Sequence, residues 1–489
     1  MFKALFRKKP IQKAEAKRGT LDLLGTGSLN ATGKLAEAGL KRVLSAWDLT
    51  ILGVGAIIGT GIFVITGPAA ATKAGPGIIL SFLLAGIACG FAALCYSELA
   101  AMLPVSGSAY AYAYTAFGEI IAWIIGWNLI LEYVVATSAV AIGWSGYFAN
   151  MLKGIGWSLP VAITGAPDLA HGVFLNLPAI LIALLVTGVL VIGTKESSNT
   201  AGIFVALKLF VLVMFLVVGA TGIKATNWSP FLPFGWMGVL QGAAIIFFAY
   251  IGFDALSTVA EEVKEPQKNL PIGIIASLVI CTVFYMLVAT VLTGMAPYKT
   301  LGSEAALATA LYASGHNWTA ALLSVGAIAG ITSVLLVLLM GQPRIFFAMS
   351  RDGLIPAFFS KVHPKFQTPW VSTIITGTCV ALLAGFTPIG VVAELANIGT
   401  LFAFALVSLG VIYLRYTMPD VERPFRVPFS PVIPLLSAGA CIFLMCGLPH
   451  FTWIRFGVWS GIGLLVYFAY GISHSKLAKN PPKVLEKAL

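Results

Sequence analysis

One apolar segment of this sequence is interrupted at the depth where a membrane-spanning helix is normally continuous. Residues 53–67 read GVGAIIGTGIFVITG, with the triplet Gly59-Thr60-Gly61 in the middle. Each glycine in a helix interior costs about 1 kcal/mol relative to alanine, and backbone groups freed inside hydrocarbon must find partners or line a polar cavity. The triplet therefore predicts a helix break that forms a binding site. The alternative is that both glycines are small residues over which membrane helices pack closely.

A helix break at this position presents partial charges of both signs. The free amides of the downstream half-helix face an anion with the positive end of that helix dipole, while the last carbonyls of the upstream half face a cation. A zwitterion satisfies both ends at once.

The composition places the chain in a membrane. Of 489 residues, 58% are hydrophobic and only 10% are charged, and the mean hydropathy is +0.93, so a soluble fold could not keep its surface wet. The six cysteines all fall inside apolar segments, without the spacing of a metal site or a disulfide framework, which indicates packing residues. We therefore expect a polytopic membrane protein with no metal and no cofactor.

The lysines and arginines indicate the orientation. Most of the 30 cluster at the ends of apolar segments, which the positive-inside rule explains better than a nucleic-acid-binding surface. They predict a multi-pass protein of the cell membrane with both termini in the cytoplasm. The first 45 residues are expected at the membrane surface, as an amphipathic helix or a disordered basic arm. The predicted spans, each of about 20 residues, are 46–72, 77–103, 119–149, 174–193, 195–220, 237–262, 271–296, 317–345, 370–387, 390–414, 431–449 and 455–474.

A second apolar segment is interrupted in a similar way. The sixth predicted span contains FFAYIGFDALSTVAEE, broken at 250–254. Interruptions in the first and sixth spans imply two halves of five helices, and because five is odd, the second half enters the membrane from the opposite face. This predicts an all-α fold with a 5+5 inverted repeat and two added helices. The predicted segments are a tail at 1–45, repeats at 46–222 and 237–414, two helices at 415–474 and a C-terminal tail at 475–489.

Four stretches carry a resemblance to a known family. They are GAIIGTGIFVITG from Gly55, YSELAAMLPVSGSAYAY from Tyr96, FFAYIGFDALSTVAEEVKEPQKNLP from Phe247 and RIFFAMSRDGLIP from Arg344. In this order they resemble the amino acid-polyamine-organocation superfamily, and within it the chain is similar to a bacterial member of the cationic amino acid transporter family. The resemblance covers the chain from about Ala46 to the last span. It implies a LeuT-type fold that carries an amino acid inward by alternating access.

The same resemblance implies a substrate site at the two breaks. The substrate carboxylate would meet the amides of Gly59, Thr60 and Gly61, and the substrate ammonium group would meet backbone carbonyls. These carbonyls are those of Ile58, Phe248, Ala249 and Ile251. The Phe248 side chain would also close the site from outside as a gate.

The resemblance places Leu335, in the eighth span, against the substrate side chain, with Thr332 and Ser333 beside it. That span holds no acidic residue, and a buried cation without a partner costs several kcal/mol. We therefore expect small neutral L-amino acids such as alanine, glycine or serine rather than arginine. The alternatives are a Leu335 that only packs against a neighbouring helix, and a carrier of cationic amino acids or an amino acid/polyamine exchanger.

Three ionisable residues are candidates for proton coupling. Lys195 opens the fifth span and is either an interfacial anchor or, as the resemblance implies, a tethered cation between the first and eighth helices that carries a proton. Glu119 and Glu132 lie on the third span, with Glu132 near the midplane, and either couple protons or lock helices in a charge network. The expected partners are therefore an L-amino acid, protons and membrane lipid. The sequence defines no oligomeric state.

Four further ionisable residues have structural expectations. Asp254 follows the second break and is expected to cap the half-helix that begins there. Glu98 and Glu394 are expected at helix ends or in charge networks. Lys208 lies in the body of the fifth span, where it is expected to face the bundle or water instead of lipid, with no partner that the sequence identifies.

Two other classes of membrane protein fit the sequence less well. An ion channel would show a charged ring or a filter loop, and an enzyme would show a nucleophile, a metal cluster or a cofactor motif. Neither pattern occurs, and no phosphate-binding glycine-rich loop with its lysine indicates ATP as the energy source. A gradient-driven transporter without enzymatic activity is therefore the predicted function.

Overall fold

All the extended regular structure in the described part of the chain is helical. The computed structural model describes residues 6–8, 44–103, 108–193, 198–254, 256–257, 263–366 and 368–479. Within these ranges the β-type pairs are isolated bridges, such as that between Leu44 and Val263. The predicted all-α class is confirmed.

The α-helices of the described residues are numbered in chain order. They are α1 (Ala46–Ile57), α2 (Thr66–Ala69), α3 (Ile78–Met102), α4 (Ser108–Ala116), α5 (Glu119–Gly154), α6 (Leu177–Ile192), α7 (Ser198–Ala220), α8 (Gly235–Ile246), α9 (Pro266–Met295), α10 (Ala306–Ala313), α11 (Asn317–Arg351), α12 (Trp370–Phe386), α13 (Ile389–Thr417), α14 (Val432–Cys446), α15 (His450–Val466), α16 (Ile472–His474) and α17 (Lys476–Lys479). Short π-helical and 3-10 turns join several of them.

Seven helical stretches of the described residues are long and apolar enough to cross a membrane. They are Ala46–Met102, Glu119–Gly154, Ile203–Ala220, Pro266–Met295, Asn317–Arg351, Ile389–Thr417 and His450–Lys479. The first is 57 residues long because α1 and α3 follow one another through the first break and a tight turn. Four shorter apolar segments contain α6, α8, α12 and α14. The molecule is a multi-pass membrane protein.

The first helix begins at a capping box and ends at the glycine triplet. The Ser45 hydroxyl accepts a hydrogen bond from the Asp48 amide at 3.3 Å, and the Asp48 carboxylate accepts one from the Ser45 amide at 2.8 Å. Two backbone donors at the start of the helix are thereby satisfied. α1 ends at Ile57, and Ile58 is extended with φ −73° and ψ 100°. The chain resumes as the π-helical turn Gly61–Ile65.

The second interrupted segment breaks with a different geometry. α8 passes into the 3-10 turn Phe247–Tyr250, and Ile251 then extends with φ −60° and ψ 132°. Gly252 follows with φ +126°, which residues with a Cβ rarely adopt. A Cβ added at Gly252 would also lie 3.0 Å from the Ala56 carbonyl oxygen of α1. Residue 252 must therefore be glycine, because its positive φ disfavours a side chain and α1 leaves no room for one.

The long helices enclose both interrupted segments. α5, with 36 residues, packs along α11 and α13, while α9 packs along α1 and α3. Side chains at both interruptions, such as Ile58, Ile62 and Phe247, are fully buried. The breaks therefore lie inside the bundle and not on its outer surface.

The two ends of the bundle carry different parts of the chain. The end that we call the terminal end holds residues 6–8, the start of α5 and the last helices. There, Lys8 Nζ donates a hydrogen bond to the Tyr413 hydroxyl at 2.8 Å and lies 4.3 Å from the centre of its ring. The opposite end, the α10 end, holds the loop at 155–176 and the connection from α9 through α10 to α11.

Candidate functional site

The two helix breaks are in direct contact. A Cβ added at Gly61 would lie 2.2 Å from Ala249 Cα, far inside van der Waals contact. Gly59 is also crowded, because its added Cβ would lie 2.9 Å from Val334 Cγ2 of α11. Both glycines therefore serve close packing, as the alternative interpretation of the triplet expected. The same packing brings the interrupted backbones of both segments together.

One tyrosine connects the carbonyls of the two breaks. Tyr285 of α9 is fully buried, and its hydroxyl oxygen lies 2.8 Å from the Ile57 carbonyl oxygen and 2.8 Å from the Ala249 carbonyl oxygen. A phenol has one hydrogen to donate, so the two carbonyls share it. The hydroxyl therefore stabilises the arrangement in which the breaks lie side by side.

A buried lysine occupies the carbonyl end of α1. Lys208 of α7 is 0% exposed, and its Nζ donates to the Gly55 carbonyl oxygen and, at 3.0 Å, to the Ile58 carbonyl oxygen. A Cβ added at Gly330 of α11 would lie 3.1 Å from Lys208 Cβ, so the lysine lies between α1 and α11. A cation at this point complements the negative end of the α1 dipole.

The structure therefore gives backbone partners on α1 and at the first break to Lys208, a residue for which the sequence identified no partner. Lys195, the predicted tethered cation, lies outside the described residues, so its placement stays a prediction. The position of Lys208 in the middle of an apolar span predicts that its side chain faces the bundle. That position does not predict which residues the side chain contacts. The expected inward orientation of Lys208 agrees with its complete burial.

The amide side of the first break holds an unsatisfied hydroxyl. Thr60 Oγ1 is buried and has no hydrogen-bond partner among the described residues. The Thr60 methyl group faces α5, where a Cβ added at Gly143 would lie 2.7 Å from Thr60 Cγ2. A buried hydroxyl without a partner costs about 1–3 kcal/mol. The Thr60 hydroxyl is therefore available for a hydrogen bond that the described residues do not supply.

The side chains expected around the substrate are buried or bonded locally. Phe248 is 6% exposed on its 3-10 turn, and Leu335 is 0% exposed on α11. The Thr332 hydroxyl accepts a hydrogen bond from the Trp144 indole at 3.0 Å, and the Ser333 hydroxyl donates to a carbonyl of its own helix at 2.7 Å. Val334 of α11, which the sequence analysis did not single out, contacts Gly59 of the first break.

The site is closed in this conformation. Ile58, Thr60, Phe248 and Ala249 are between 0% and 6% exposed. A cavity of about 650 Å³ lies elsewhere, between the start of α9 and residues 424–425, and its lining is mostly apolar. Access to the breaks therefore requires the enclosing helices to move apart.

Glu132 faces the interior near the second break. It is 3% exposed, and a Cβ added at Gly399 of α13 would lie 3.9 Å from Glu132 Cβ. The Thr400 hydroxyl of α13, which donates to the Ala396 carbonyl oxygen at 3.0 Å, follows Gly399 along the same helix. Asp254 itself accepts a hydrogen bond from the Gly252 amide at 3.2 Å. Glu132 and Asp254 are both buried, while the half-helix that Asp254 was expected to cap lies partly outside the described residues.

Glu119 is held by three hydroxyl groups at the terminal end. Its carboxylate accepts hydrogen bonds from Tyr114 at 3.0 Å, from Tyr467 at 3.0 Å and from Ser475 at 2.5 Å. These donors come from α4 and from the last segments of the chain. Of the two interpretations of Glu119, the arrangement favours the one in which it locks helices.

Glu98 and Glu394, which were expected at helix ends or in charge networks, each lie near a helix end and bind another segment. Glu98 at the end of α3 accepts two hydrogen bonds from Arg415, at 2.9 and 2.5 Å, and one from the Val427 amide at 2.7 Å. Glu394 near the start of α13 accepts a hydrogen bond from the Thr452 hydroxyl of α15 at 2.8 Å. These contacts connect the central bundle with the segments that follow α13.

Comparison with known proteins relates the chain to transporters. It is 50% identical over 476 residues to the methylthioribose transporter of Bacillus subtilis (strain 168), which covers 97% of this chain and 100% of that protein. It is also 50% identical over 477 residues to the branched-chain amino acid permease BcaP of the same organism, which covers 97% and 99%. The vacuolar cationic amino acid transporter 4 of Arabidopsis thaliana is 42% identical over 404 residues, which covers 81% of this chain and 66% of that protein.

These relatives are named as permeases and transporters, which are not enzymes. The family model for amino acid permeases matches residues 44–470. That match includes both breaks, Tyr285 and Lys208. The chain therefore belongs to the amino acid permease family of the amino acid-polyamine-organocation superfamily, with relatives among the cationic amino acid transporters.

Proposed function

We propose that this permease is a secondary active transporter that imports neutral L-amino acids by alternating access, driven by a proton gradient. The observation that supports this best is the contact between two helix breaks in the interior of the bundle. There, the Tyr285 hydroxyl lies against carbonyls of both segments, and the Thr60 hydroxyl of the first break lacks a partner among the described residues. A zwitterion has the charges that this arrangement complements.

The proposed fold is a LeuT-type 5+5 inverted repeat with two added helices. The first long stretch, Ala46–Met102, contains two spans, and together with six other long and four shorter apolar segments it supplies the twelve spans that this fold needs. The interrupted segments would open the two proposed repeats, 46–222 and 237–414. The positive-inside rule places the terminal end in the cytoplasm, so the α10 end would be extracellular in the cell membrane.

The proposed substrate contacts follow from the two breaks. The carboxylate would bind the amides of Gly59, Thr60 and Gly61, where the Thr60 hydroxyl lacks a partner in the described part of the chain. The ammonium group would bind carbonyls of both segments. Candidates are the carbonyls of Ile58, Phe248, Ala249 and Ile251. Two of these, at Ile58 and Ala249, already accept hydrogen bonds from Lys208 and Tyr285, and a carbonyl oxygen has a second lone pair for the substrate.

The proposed selectivity favours small neutral side chains such as those of alanine, glycine and serine. Val334 presents apolar surface of α11 next to the first break, and Leu335 follows it as a fully buried residue. A cationic side chain would need a carboxylate there, since a buried unpaired charge is expensive. A relative named as a branched-chain amino acid permease is consistent with a neutral substrate. The cationic carrier and the amino acid/polyamine exchanger stand as the alternatives.

Lys208 and Glu132 are the proposed coupling residues. Lys208 contacts two carbonyls at the end of α1, so loss of its proton would remove the positive charge that this helix end stabilises. Its charge would also repel a sodium ion from the same place. Glu132 is a carboxyl group buried in the interior of the bundle. Glu119 is proposed to lock helices, and the role predicted for Lys195 is tested beside that of Lys208.

Uptake into proteoliposomes tests the proposed function. The purified full-length protein would be offered radiolabelled alanine with and without an inward proton gradient, and with and without sodium. We expect alanine to accumulate only with the proton gradient, and to the same extent with and without sodium. Unlabelled serine, leucine, arginine and methylthioribose would serve as competitors, with protein-free liposomes as the control.

Each outcome of this assay bears on a separate part of the proposal. A requirement for sodium would refute proton coupling. Strong competition by arginine would refute the neutral selectivity. Competition by methylthioribose without uptake of any amino acid would refute the substrate class, whereas stronger competition by leucine than by serine would refute the preference for small side chains.

A further inference from the structure

The two interrupted helices enter the bundle from opposite ends. α1 follows Leu44, whose carbonyl oxygen accepts a hydrogen bond from the Lys264 amide at 2.8 Å, just before α9 begins. α8 follows a turn in which the Asn227 side chain donates to the Gly294 carbonyl oxygen at 2.6 Å, where α9 ends. The two half-helices therefore run toward the breaks in opposite directions, as the proposed inverted repeat requires.

A buried asparagine binds the last turn of α8. Asn397 of α13 is 0% exposed, and its amide nitrogen donates to the Ala244 and Ile245 carbonyl oxygens at 2.8 Å each. Carbonyls in the last turn of an α-helix lack their regular amide partners, and a side-chain amide has two hydrogens to donate. Asn397 Oδ1 itself is buried without a hydrogen-bond partner among the described residues. The side chain therefore satisfies the end of α8 and leaves its own acceptor unpaired.

The contact of Asn397 corresponds to that of Lys208. Lys208 donates to Gly55 of α1 and Asn397 donates to Ala244 of α8, and each acceptor lies two positions before the last residue of its helix. Donor and acceptor are separated by 153 positions in both pairs. α7 and α13 contain the fifth spans of the two proposed repeats, and α1 and α8 open those repeats. The equal spacing indicates that Lys208 and Asn397 occupy equivalent positions.

α13 also contacts the second break beyond the end of α8. Phe404 follows Asn397 at a spacing of seven residues, which places both on one face of the helix. The Phe404 ring centre lies 5.8 Å from that of Phe247 and 5.0 Å from that of Phe253. These two residues lie on either side of the extended residue Ile251. The same face of α13 therefore supports the second break before and after its interruption.

The two equivalent side chains differ in charge. The Lys208 ammonium group carries a charge that loss of a proton would remove, whereas the Asn397 amide is neutral and does not titrate. A proton can therefore alter the contact at the first break but not the one that Asn397 makes at the second.

We propose that Asn397 is a positioning residue that holds the second break in its substrate-binding geometry independently of pH. This inference rests on the proposed function, in which the carbonyls of Phe248, Ala249 and Ile251 bind the substrate ammonium group. Those carbonyls follow directly after the helix end that Asn397 binds. A displacement of that end would move them, so loss of the amide weakens substrate binding without removing a group that touches the substrate.

Ionisable side chains on the elements around α13 are the same in every variant of this position. They include Glu394 of α13, Glu132 of α5, Cys89 of α3, Tyr250 of the second break, Cys441 of α14 and His450 of α15. The sequence of α8 contains none. Each pH profile is therefore compared with that of the wild type, which carries the same groups.

Hydrogen–deuterium exchange tests the contact without reference to transport. Full-length protein in lipid nanodiscs would carry Asn397→Leu, which keeps a similar volume and removes the amide. We expect backbone exchange at residues 244–251 to rise at least about fivefold, because both hydrogen bonds to the end of α8 are lost. Asn128→Leu is the matched control and should leave this exchange unchanged. Asn128 is a buried asparagine of α5 whose amide donates at 2.9 Å to Ile124 of its own helix.

The pH profile of alanine binding tests the positioning role. Asn397→Asp replaces the amide by an acid of nearly the same shape, which donates a hydrogen bond only when it is protonated. Relative to the wild type, its affinity for labelled alanine should therefore fall at least about tenfold from pH 5 to pH 8. Asn128→Asp should follow the wild type at both pH values.

The two measurements can each overturn the inference. Unchanged exchange at residues 244–251 in Asn397→Leu, or an equal rise in Asn128→Leu, would exclude the contact as the support of the second break. A constant ratio of the Asn397→Asp and wild-type affinities from pH 5 to pH 8 would exclude the positioning role. If Asn397→Leu does not fold, Asn397→Asp replaces it in the exchange measurement at pH 8. A wild type that binds no alanine would refute the proposed function, while the exchange result would still decide whether Asn397 holds the second break.

Discussion

The shared hydrogen bond of Tyr285 offers the sharpest test of the two-break site. Tyr285→Phe keeps the ring and removes only the hydroxyl that lies 2.8 Å from both the Ile57 and Ala249 carbonyl oxygens. One hydrogen bond contributes about 0.5–1.5 kcal/mol, and a buried acceptor left without a donor costs about 1–3 kcal/mol. We expect a total near 2 kcal/mol in the closed conformation, which corresponds to a roughly 30-fold weaker substrate affinity.

The assay is equilibrium binding of labelled alanine to purified protein, together with thermal unfolding. Tyr250→Phe is the matched control. Tyr250 is buried like Tyr285, but its hydroxyl donates at 2.8 Å to the Phe82 carbonyl oxygen of α3, so it connects the second break to a neighbouring helix and not to the first break. Both variants should also lose thermal stability, Tyr285→Phe by about 2 kcal/mol and Tyr250→Phe by about 1 kcal/mol. Wild-type affinity in Tyr285→Phe, or equal losses of affinity in both variants, would refute the reasoning.

Three further predictions concern coupling, the first break and selectivity. Lys208→Met should abolish proton-driven accumulation of alanine. Lys195→Met would be measured in parallel, and normal proton coupling in that variant would exclude the predicted role of Lys195. Gly61→Ala should abolish alanine binding, because the added Cβ would lie 2.2 Å from the Ala249 backbone of the second break. Gly90→Ala is the control and should bind alanine normally, because no atom lies within 4 Å of its added Cβ. Normal binding by both variants would contradict the close packing at the break. Leu335→Ser should increase competition by arginine in alanine uptake, and an unchanged competition profile would remove Leu335 from the pocket.

The membrane class, the helical fold and the family were predictable from local features of the chain. An apolar run with a glycine triplet costs helix stability wherever the chain goes, so the position of the first break is a property of residues 53–67 alone. The structure ends α1 at Ile57 and resumes a helix at Gly61. The inward position of Lys208 was predictable for a similar reason, because an ammonium group facing lipid is unfavourable in any fold.

The partners of these residues depend on the tertiary structure. Tyr285 and Ile57 are separated by 228 positions, Lys208 and Ile58 by 150, and Glu119 meets hydroxyls 348 and 356 positions away. Periodicity shows which residues share a helix face, but it does not show which distant helix that face meets. Close packing over Gly61 and Gly330 determines which helices meet, because two helices can approach closely only where the side chains on both surfaces are small enough.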